Sequence, residues 1–544
     1  MKKSILKLGI LALLSFNFVS TLPVQAIMQN GVWNNDLKTI FAKNEAIILA
    51  INIRSFNAQD LNNDDIIDIN KGEISGNFIN AINRLNEIKA QGINTIHLLP
   101  ITPVGKIKAM GTAGSLYAIS DFGSINPQLD DKTNTLSAEQ EAKNFIKECH
   151  KRNIRVIVDL PSCGSYDLFL SKPELFEKDE NEQPLVPADW TDVRMFKVTN
   201  KDGSMNDALY LEYKKFIDLM QKLGVDGIRA DVATCKTPEF WTKLISYAKN
   251  NDPQFLFLAE ASESWTLPIT KNAPFTPPYK LLEAGFDGWY GSFFDFKNWN
   301  EQEQFEKSLN LVNDIRKDFG MKNQAKSVIG SFATHDEISP IITGGTPFTN
   351  MIFWLQATLP VNSYFVDGVQ TGDSYQYQYA NQKAPISYTD DKTYYVHKGQ
   401  FDIFNFSRKP GNKNSIVLNE FIAANKFKYS ISKIINNGEY EFIKTDNKNI
   451  FAYTVTNGEK SILVVLNKNL IYNASTTIKL KDFKENDFIY PFLFNNDPTV
   501  IKDTLKVELQ PGDITIFILE KRPKEQKSKQ KSNTTSPNMT PIYR

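Results

Sequence analysis

A parallel α/β barrel followed by a β-sandwich is the fold this sequence predicts, on three observations. Apolar runs of strand length alternate with stretches of helical period over most of the chain. Four of those runs end in polar groups: RVIVDLPS at Asp159, GVDGIRADVA at Arg229 and Asp231, FLFLAEASE at Glu260, and SVIGSFATHDE at His335 and Asp336. A packed core has no use for unpaired acids, whereas a parallel barrel builds its site from side chains at the C-terminal ends of its strands. Finally, short alternating runs such as IFAYTV and SILVVL dominate after roughly Asn414, the pattern of an antiparallel sheet.

The stretch Gly224 to Ala233 is the centre of this reading. A helix is expected to end near Gly224, and the strand after it carries Arg229 and Asp231 at alternating positions, hence on one face. Such a pair reads either as a buried salt bridge under a loop or as a catalytic carboxylate held ionised by its arginine neighbour.

Taken together, the order of the four stretches, their strand context and the identity of the three acids resemble the alpha-amylase family. This is glycoside hydrolase family 13, the retaining alpha-glucosidases and transglycosylases. The resemblance runs from about residue 45 to about residue 520. It implies a (β/α)8 TIM barrel with a short subdomain inserted after the third strand and a C-terminal antiparallel β-sandwich. The expected boundaries are 1–26 for a signal peptide, 27–410 for the barrel with its insertion at about 162–205, 411–521 for the sandwich and 522–544 for a disordered tail.

The opening residues, MKKSILKLGILALLSFNFVSTLPVQA, combine Lys2 and Lys3, an apolar stretch and a small-residue site at Val24-Gln25-Ala26. They read as a cleaved leader, with a single membrane anchor as the other reading. A secreted or periplasmic protein without stable membrane insertion is expected. Acidic and basic residues balance at 62 each, so nothing argues for nucleic acid or an anionic membrane as partner. A monomer is expected. The tail after Arg522 lacks apolar anchors.

AIILAINI, from Ala46, reads as the first strand. The following DLNNDDIIDINKGE alternates oxygen-bearing residues, as calcium loops do. An EF-hand would need Gly at Asp65 and Glu at Lys71. The resemblance instead implies a structural calcium held by Asp60, Asn62, Asp64, the carbonyl of Ile66, and Asp68; a solvated acidic turn is the alternative. No organic cofactor is expected. TIHLLP reads as the second strand, with His97 as a core residue. Tyr117, Asp121 and Phe122 match a family spacing in which the tyrosine stacks on the sugar ring. EAGFDGWYGSFF and NSYFVDG read as the sixth and eighth strands. Trp190 is assigned either to the cleft or to the insertion's own core.

Two departures stand out. Where the family has Asn and His after the third-strand acid, this chain has Cys163 and Gly164, and Thr334 replaces the Asn before His335. The chain has 4 histidines and 3 cysteines. Cys163 follows Asp159 at the same offset as Cys235 follows Asp231, and these offsets approach a shared calcium in many family members. A Cys163–Cys235 disulfide replacing that clamp is therefore expected, with two free thiols as the alternative.

By the resemblance Asp231 is the nucleophile, Glu260 the acid/base, Asp336 and His335 the residues on the sugar's 2- and 3-hydroxyls, and Asp159 the residue that orients Arg229. The substrate class implied is α-1,4-glucan. Three functions share these residues: hydrolysis, transglycosylation on the same site, and glucan binding without catalysis.

Overall fold

The computed structural model describes residues 33–59, 61, 71–109, 114–187, 190–270, 273–373, 414–458, 460–480, 488–494, 499–501, 504–520 and 542–543. The expected leader lies outside them. So do Asp60, Asn62, Asp64, Ile66 and Asp68 of the expected calcium loop, and most of the tail.

Eight strands close into a parallel barrel: β1 (Ile47–Ile51), β2 (Thr95–Leu98), β3 (Arg155–Leu160), β4 (Gly227–Ala230), β5 (Leu256–Ala259), β6 (Gly288–Trp289), β7 (Ser327–Gly330) and β8 (Asn362–Val366). They pair in sequence order, β8 closing on β1 with Ile47 opposite Ser363. All are buried, because helices cover the outside and side chains fill the inside. Register sets the site: Asp159 of β3 lies opposite Arg229 of β4, and Arg229 opposite Leu258 of β5.

Local sequence explains how the helices start and stop. Helix α1 (Ala138–Lys151) begins with a capping box between Ser137 and Gln140. Helix α2 (Asp207–Leu223) stops at Gly224, whose φ of 90° is open to glycine and strained for other residues. Its apolar stripe of Leu209, Tyr213, Phe216, Ile217 and Met220 packs on the barrel. Helix α3 (Pro238–Asn251) is capped by Thr237.

The insertion is small. Ala118–Ile119, Cys163–Gly164 and Arg194–Met195 form a three-stranded patch. Trp190 packs there beside Cys163, Val193 and Met195 and so joins the insertion's own core.

The antiparallel part starts later than residue 411. Helix α4 (Ser415–Ser430) and the short helix Ser432–Asn437 come first. Phe421 of α4 packs edge-on against Phe353 and Phe365, so this helix belongs to the barrel's outer layer. From Glu439 two sheets face each other. One contains β9 (Glu439–Ile443), β10 (Ile450–Asn457), β11 (Lys460–Asn467), β12 (Phe488–Phe494) and β13 (Ile514–Glu520); the other pairs Ala474–Lys479, Thr499–Ile501 and Thr504–Leu509. Ile450, Leu463, Phe517, Ile478, Leu505 and Val507 fill the space between them, which makes this unit a sandwich. Within the expected tail, Ile542–Tyr543 pairs in parallel with Leu493 and Phe494.

Candidate active site

The C-terminal mouth of the barrel gathers the residues singled out from sequence, and one guanidinium joins them. Arg229 is fully buried. Its Nη1 donates to Asp159 Oδ1 at 2.8 Å and to Asp231 Oδ1 at 3.0 Å. Its Nη2 meets Glu260 Oε1 at 2.7 Å, and its Nε donates to the Tyr290 hydroxyl at 3.0 Å. Arg229 is thus shared among three carboxyls rather than dedicated to Asp231.

Backbone geometry aims the two central acids. Asp231 follows β4, and its N–H continues the ladder to Leu160 O at 3.0 Å. Asp231 Oδ2 accepts from Ser162 N–H at 2.9 Å, leaving the side chain 12% exposed towards the cleft. Glu260 follows β5, its N–H bonded to Ala230 O. Glu260 Oε2 accepts from Val232 N–H at 2.6 Å. Val232 has φ 32° and ψ 58°, a left-handed conformation rare for a β-branched residue.

Charge crowding separates the acids by behaviour. Burial pushes Asp159 up, but Arg229 and His97 outweigh it and hold this carboxyl at about 2. Burial raises Asp231, with Arg229 opposing and Asp159 reinforcing. Glu260 is driven furthest: burial, partly offset by Arg229, then the charges of Asp231 and Asp336 push it well above the carboxylate range. The side chain of Asp336 is 41% exposed, yet desolvation within the cleft, opposed by Arg229 and aided by Asp231 and Asp159, takes it to about 7. These acids interact strongly, so their titrations belong to the group.

Tyr117 and His335 close one wall. The Tyr117 hydroxyl donates to Asp159 Oδ2 at 2.9 Å and lies 2.7 Å from His335 Nε2. With that proton committed to the carboxylate, the hydroxyl accepts from Nε2–H, which fixes the tautomer. Burial pushes His335 well below its usual range, so the ring is neutral. The two rings are parallel, at 4°, with centroids 5.9 Å apart. His335 Nε2 also faces Asp336 Oδ2 at 3.4 Å.

Sequence reasoning missed the floor. His97, read as a core residue, is fully buried but faces the site: Nδ1 lies 2.9 Å from the Tyr364 hydroxyl and Nε2 3.4 Å from Asp159 Oδ2. Tyr364 in turn hydrogen-bonds Tyr290, which meets Arg229. The signal was present in a histidine and tyrosines at inward-facing strand positions. Asp121 is not part of the site; it closes a turn, accepting from Gly123 N–H and the Ser124 hydroxyl.

The expected disulfide is absent. Cys149, Cys163 and Cys235 are all free and buried. Cys163 lies in the small patch, where its Sγ contacts Met195 Sδ at 3.9 Å, while Cys235 closes the one-turn segment Ala233–Cys235. Equal offsets placed both at the rim but could not show that one side chain is committed to the patch. Between their loops lies the buried ammonium of Lys236. Gly164 explains the missing histidine: a Cβ there would lie 2.6 Å from Phe176 Cζ and 2.8 Å from Phe196 Cε1. Thr334 Oγ1 accepts from Asp336 N–H at 3.3 Å.

Among the described residues no group of three or more His, Cys, Asp or Glu is placed to hold a metal, and no helix is long and apolar enough to cross a membrane.

No family model matches the chain. It is 23% identical over 485 residues to "Alpha-amylase 3" of Dictyoglomus thermophilum, covering 82% of this chain and 88% of that protein. It is 26% identical over 269 residues to an alpha-1,4-glucan:maltose-1-phosphate maltosyltransferase of Bifidobacterium animalis subsp. lactis, 45% of this chain but only 33% of that enzyme's length. A solved alpha-amylase from Lactobacillus plantarum superposes with a TM-score of 0.62 at 18% identity, over 88% of this chain and 99% of that one. The homologues and structural neighbours are alpha-amylase-family enzymes.

Proposed function

We propose that this chain is itself a retaining α-glucan-active glycosidase of the alpha-amylase family. The observation that carries the reading is the Arg229 fork, with Asp231 and Glu260 anchored to its two terminal nitrogens. Two carboxyls held by one guanidinium are compatible with the roughly 5 Å separation of a retaining pair.

In the first step the Asp231 carboxylate attacks the anomeric carbon as the glycosidic bond breaks. The departing oxygen takes the proton of Glu260, whose elevated proton affinity keeps it in the acid form. In the second step Glu260 deprotonates water, which displaces Asp231. Asp336 and His335 bind the ring hydroxyls, and Tyr117 packs against the sugar. Asp159, held at about 2, stays charged and orients Arg229.

A second reading follows from the maltosyltransferase match: the incoming hydroxyl belongs to another sugar. Chromatography of the products from maltoheptaose separates the two, shorter chains and glucose units meaning hydrolysis and longer chains meaning transfer. Binding of the glucan with no new product would overturn both.

The calcium loop belongs to the same proposal. Its ends are described: Gln59 and Ile74 form an antiparallel bridge, and buried Glu73 accepts from Leu61 N–H at 3.0 Å. That closed base suits an oxygen-lined loop holding a hard cation at Asp60, Asn62, Asp64, Ile66 and Asp68. Chelation should lower the melting temperature and added Ca2+, but not Na+, should restore it. Export, for its part, predicts a mature N-terminus at Ile27 on sequencing.

A further inference from the structure

One lysine that neither step uses is linked through Ser162 to both reacting acids. Lys236 is 1% exposed and follows the segment Ala233–Cys235. Its ammonium donates to Ser162 Oγ at 2.6 Å and to Ser162 O at 3.3 Å. The ring centroids of Tyr213 on α2 and Trp241 on α3 lie 4.9 Å and 5.7 Å away. The backbone on either side is fixed as well: Trp241 Nε1 donates to Ala233 O, Thr276 Oγ1 to Lys236 O, and the Tyr213 hydroxyl to Pro161 O.

Two links lead from this ammonium to the chemistry. Ser162 N–H donates to Asp231 Oδ2. Ser162 Oγ, while accepting from Lys236, reaches Val232 O at 3.4 Å, and Val232 N–H holds Glu260 Oε2. A left-handed valine persists only where its surroundings over-determine it. The Lys236–Ser162 pair supplies one side of that constraint.

We propose that Lys236 is a positioning residue: its buried ammonium fixes Ser162, and through Ser162 it fixes Asp231 and the Val232 backbone, whose N–H aims Glu260. The inference rests on the roles proposed above for those two acids. Charge acts beside geometry. The groups facing Asp231 include Arg229, Asp159 and Lys236; those facing Glu260 include Arg229, Asp231 and Asp336; Lys236 itself faces Cys163, Cys235 and Asp231. Deleting the Lys236 cation removes one of the cations acting on Asp231, so its ionisation moves to higher pH.

The test uses the full chain and maltoheptaose, with kcat and KM measured across roughly pH 5 to 9. Lys236→Met should lower kcat about 10–100-fold with KM within about threefold, and should move the acid limb of kcat/KM upward. Lys236→Arg, which keeps the charge, should leave that limb in place. Ser162→Ala should lower kcat less, and adding it to Lys236→Met should cost no more than about a further twofold, because the two act in one chain. An unmoved acid limb with unaltered kcat in Lys236→Met overturns the role. If that variant does not fold, Ser162→Ala decides: an unaltered kcat overturns the role and a reduced one supports it. A wild-type chain inert towards maltoheptaose overturns the proposed function and this role together, whereas an active wild type with an unaffected variant overturns the role alone.

Discussion

At the N-terminal mouth of the barrel each acid meets its own set of donors. Asp226, just before β4, accepts from Val156 N–H at 2.8 Å and Trp33 Nε1 at 2.7 Å, with His150 Nε2 at 2.8 Å. Asp287, just before β6, accepts from Phe257 N–H at 2.9 Å and pairs with Lys249 at 2.8 Å. At the C-terminal mouth, Asp159, Asp231 and Glu260 divide one guanidinium, and two of the three are pushed towards the protonated state. Satisfied acids stitch strands together; crowded acids keep proton affinity in reserve for a reaction. Burial alone does not distinguish the two mouths. The sharing of a single cation by several carboxyls does.

The comparison breaks most sharply under substitution. Asp231→Ala should reduce turnover of maltoheptaose by about 10⁴-fold or more, with little change in melting temperature. Asp226→Ala should do the reverse, losing about 2–4 kcal/mol of stability on chemical denaturation while the folded enzyme keeps its kcat. Equal stability losses in the two variants would erase the distinction.

A smaller effect is expected at the rim. Gly164→Ala forces a Cβ against Phe176 and Phe196, at a cost of about 1–3 kcal/mol by denaturant titration. A neutral result would mean that these rings yield, and that steric closure does not explain the missing imidazole.

An effect confined to acid pH sharpens the electrostatic side. The folded-state Asp159 carboxyl sits at about 2, below its value in an unfolded chain near 3.9. The unfolded state therefore binds more protons between those values, so the contribution is complete above about pH 4 and is lost as pH falls towards 2. It amounts to about 2.6 kcal/mol, and Asp159→Asn should flatten that part of the stability profile. A wild-type profile already flat there would remove Asp159 from the charged network.

The sequence made all eight barrel strands legible, because each is a short apolar run and several end in a polar group that a core would not tolerate. The acids and Arg229 were legible for the same reason. The floor was not. His97, Tyr290 and Tyr364 sit inside apolar runs, where a side chain facing the site reads like one facing the core. Lys236 was hidden because sequence gives no hint that a lysine is buried. The helix Ser415–Ser430 was overlooked although Val417, Phe421, Ala424 and Phe427 carry helical spacing; the strand pattern beyond it set the boundary too early. The cysteine pair failed because equal chain offsets fix Cα positions, not the direction of each thiol.

The close packing over Gly164 also bears on what a substitution there can do. Phe176 and Phe196 fill the space in which an imidazole would have to stand. Placing histidine there meets both rings, so they have to move or shrink together with it. The gap is therefore held shut from the other side: a side chain can be added at position 164 only together with smaller ones at 176 and 196.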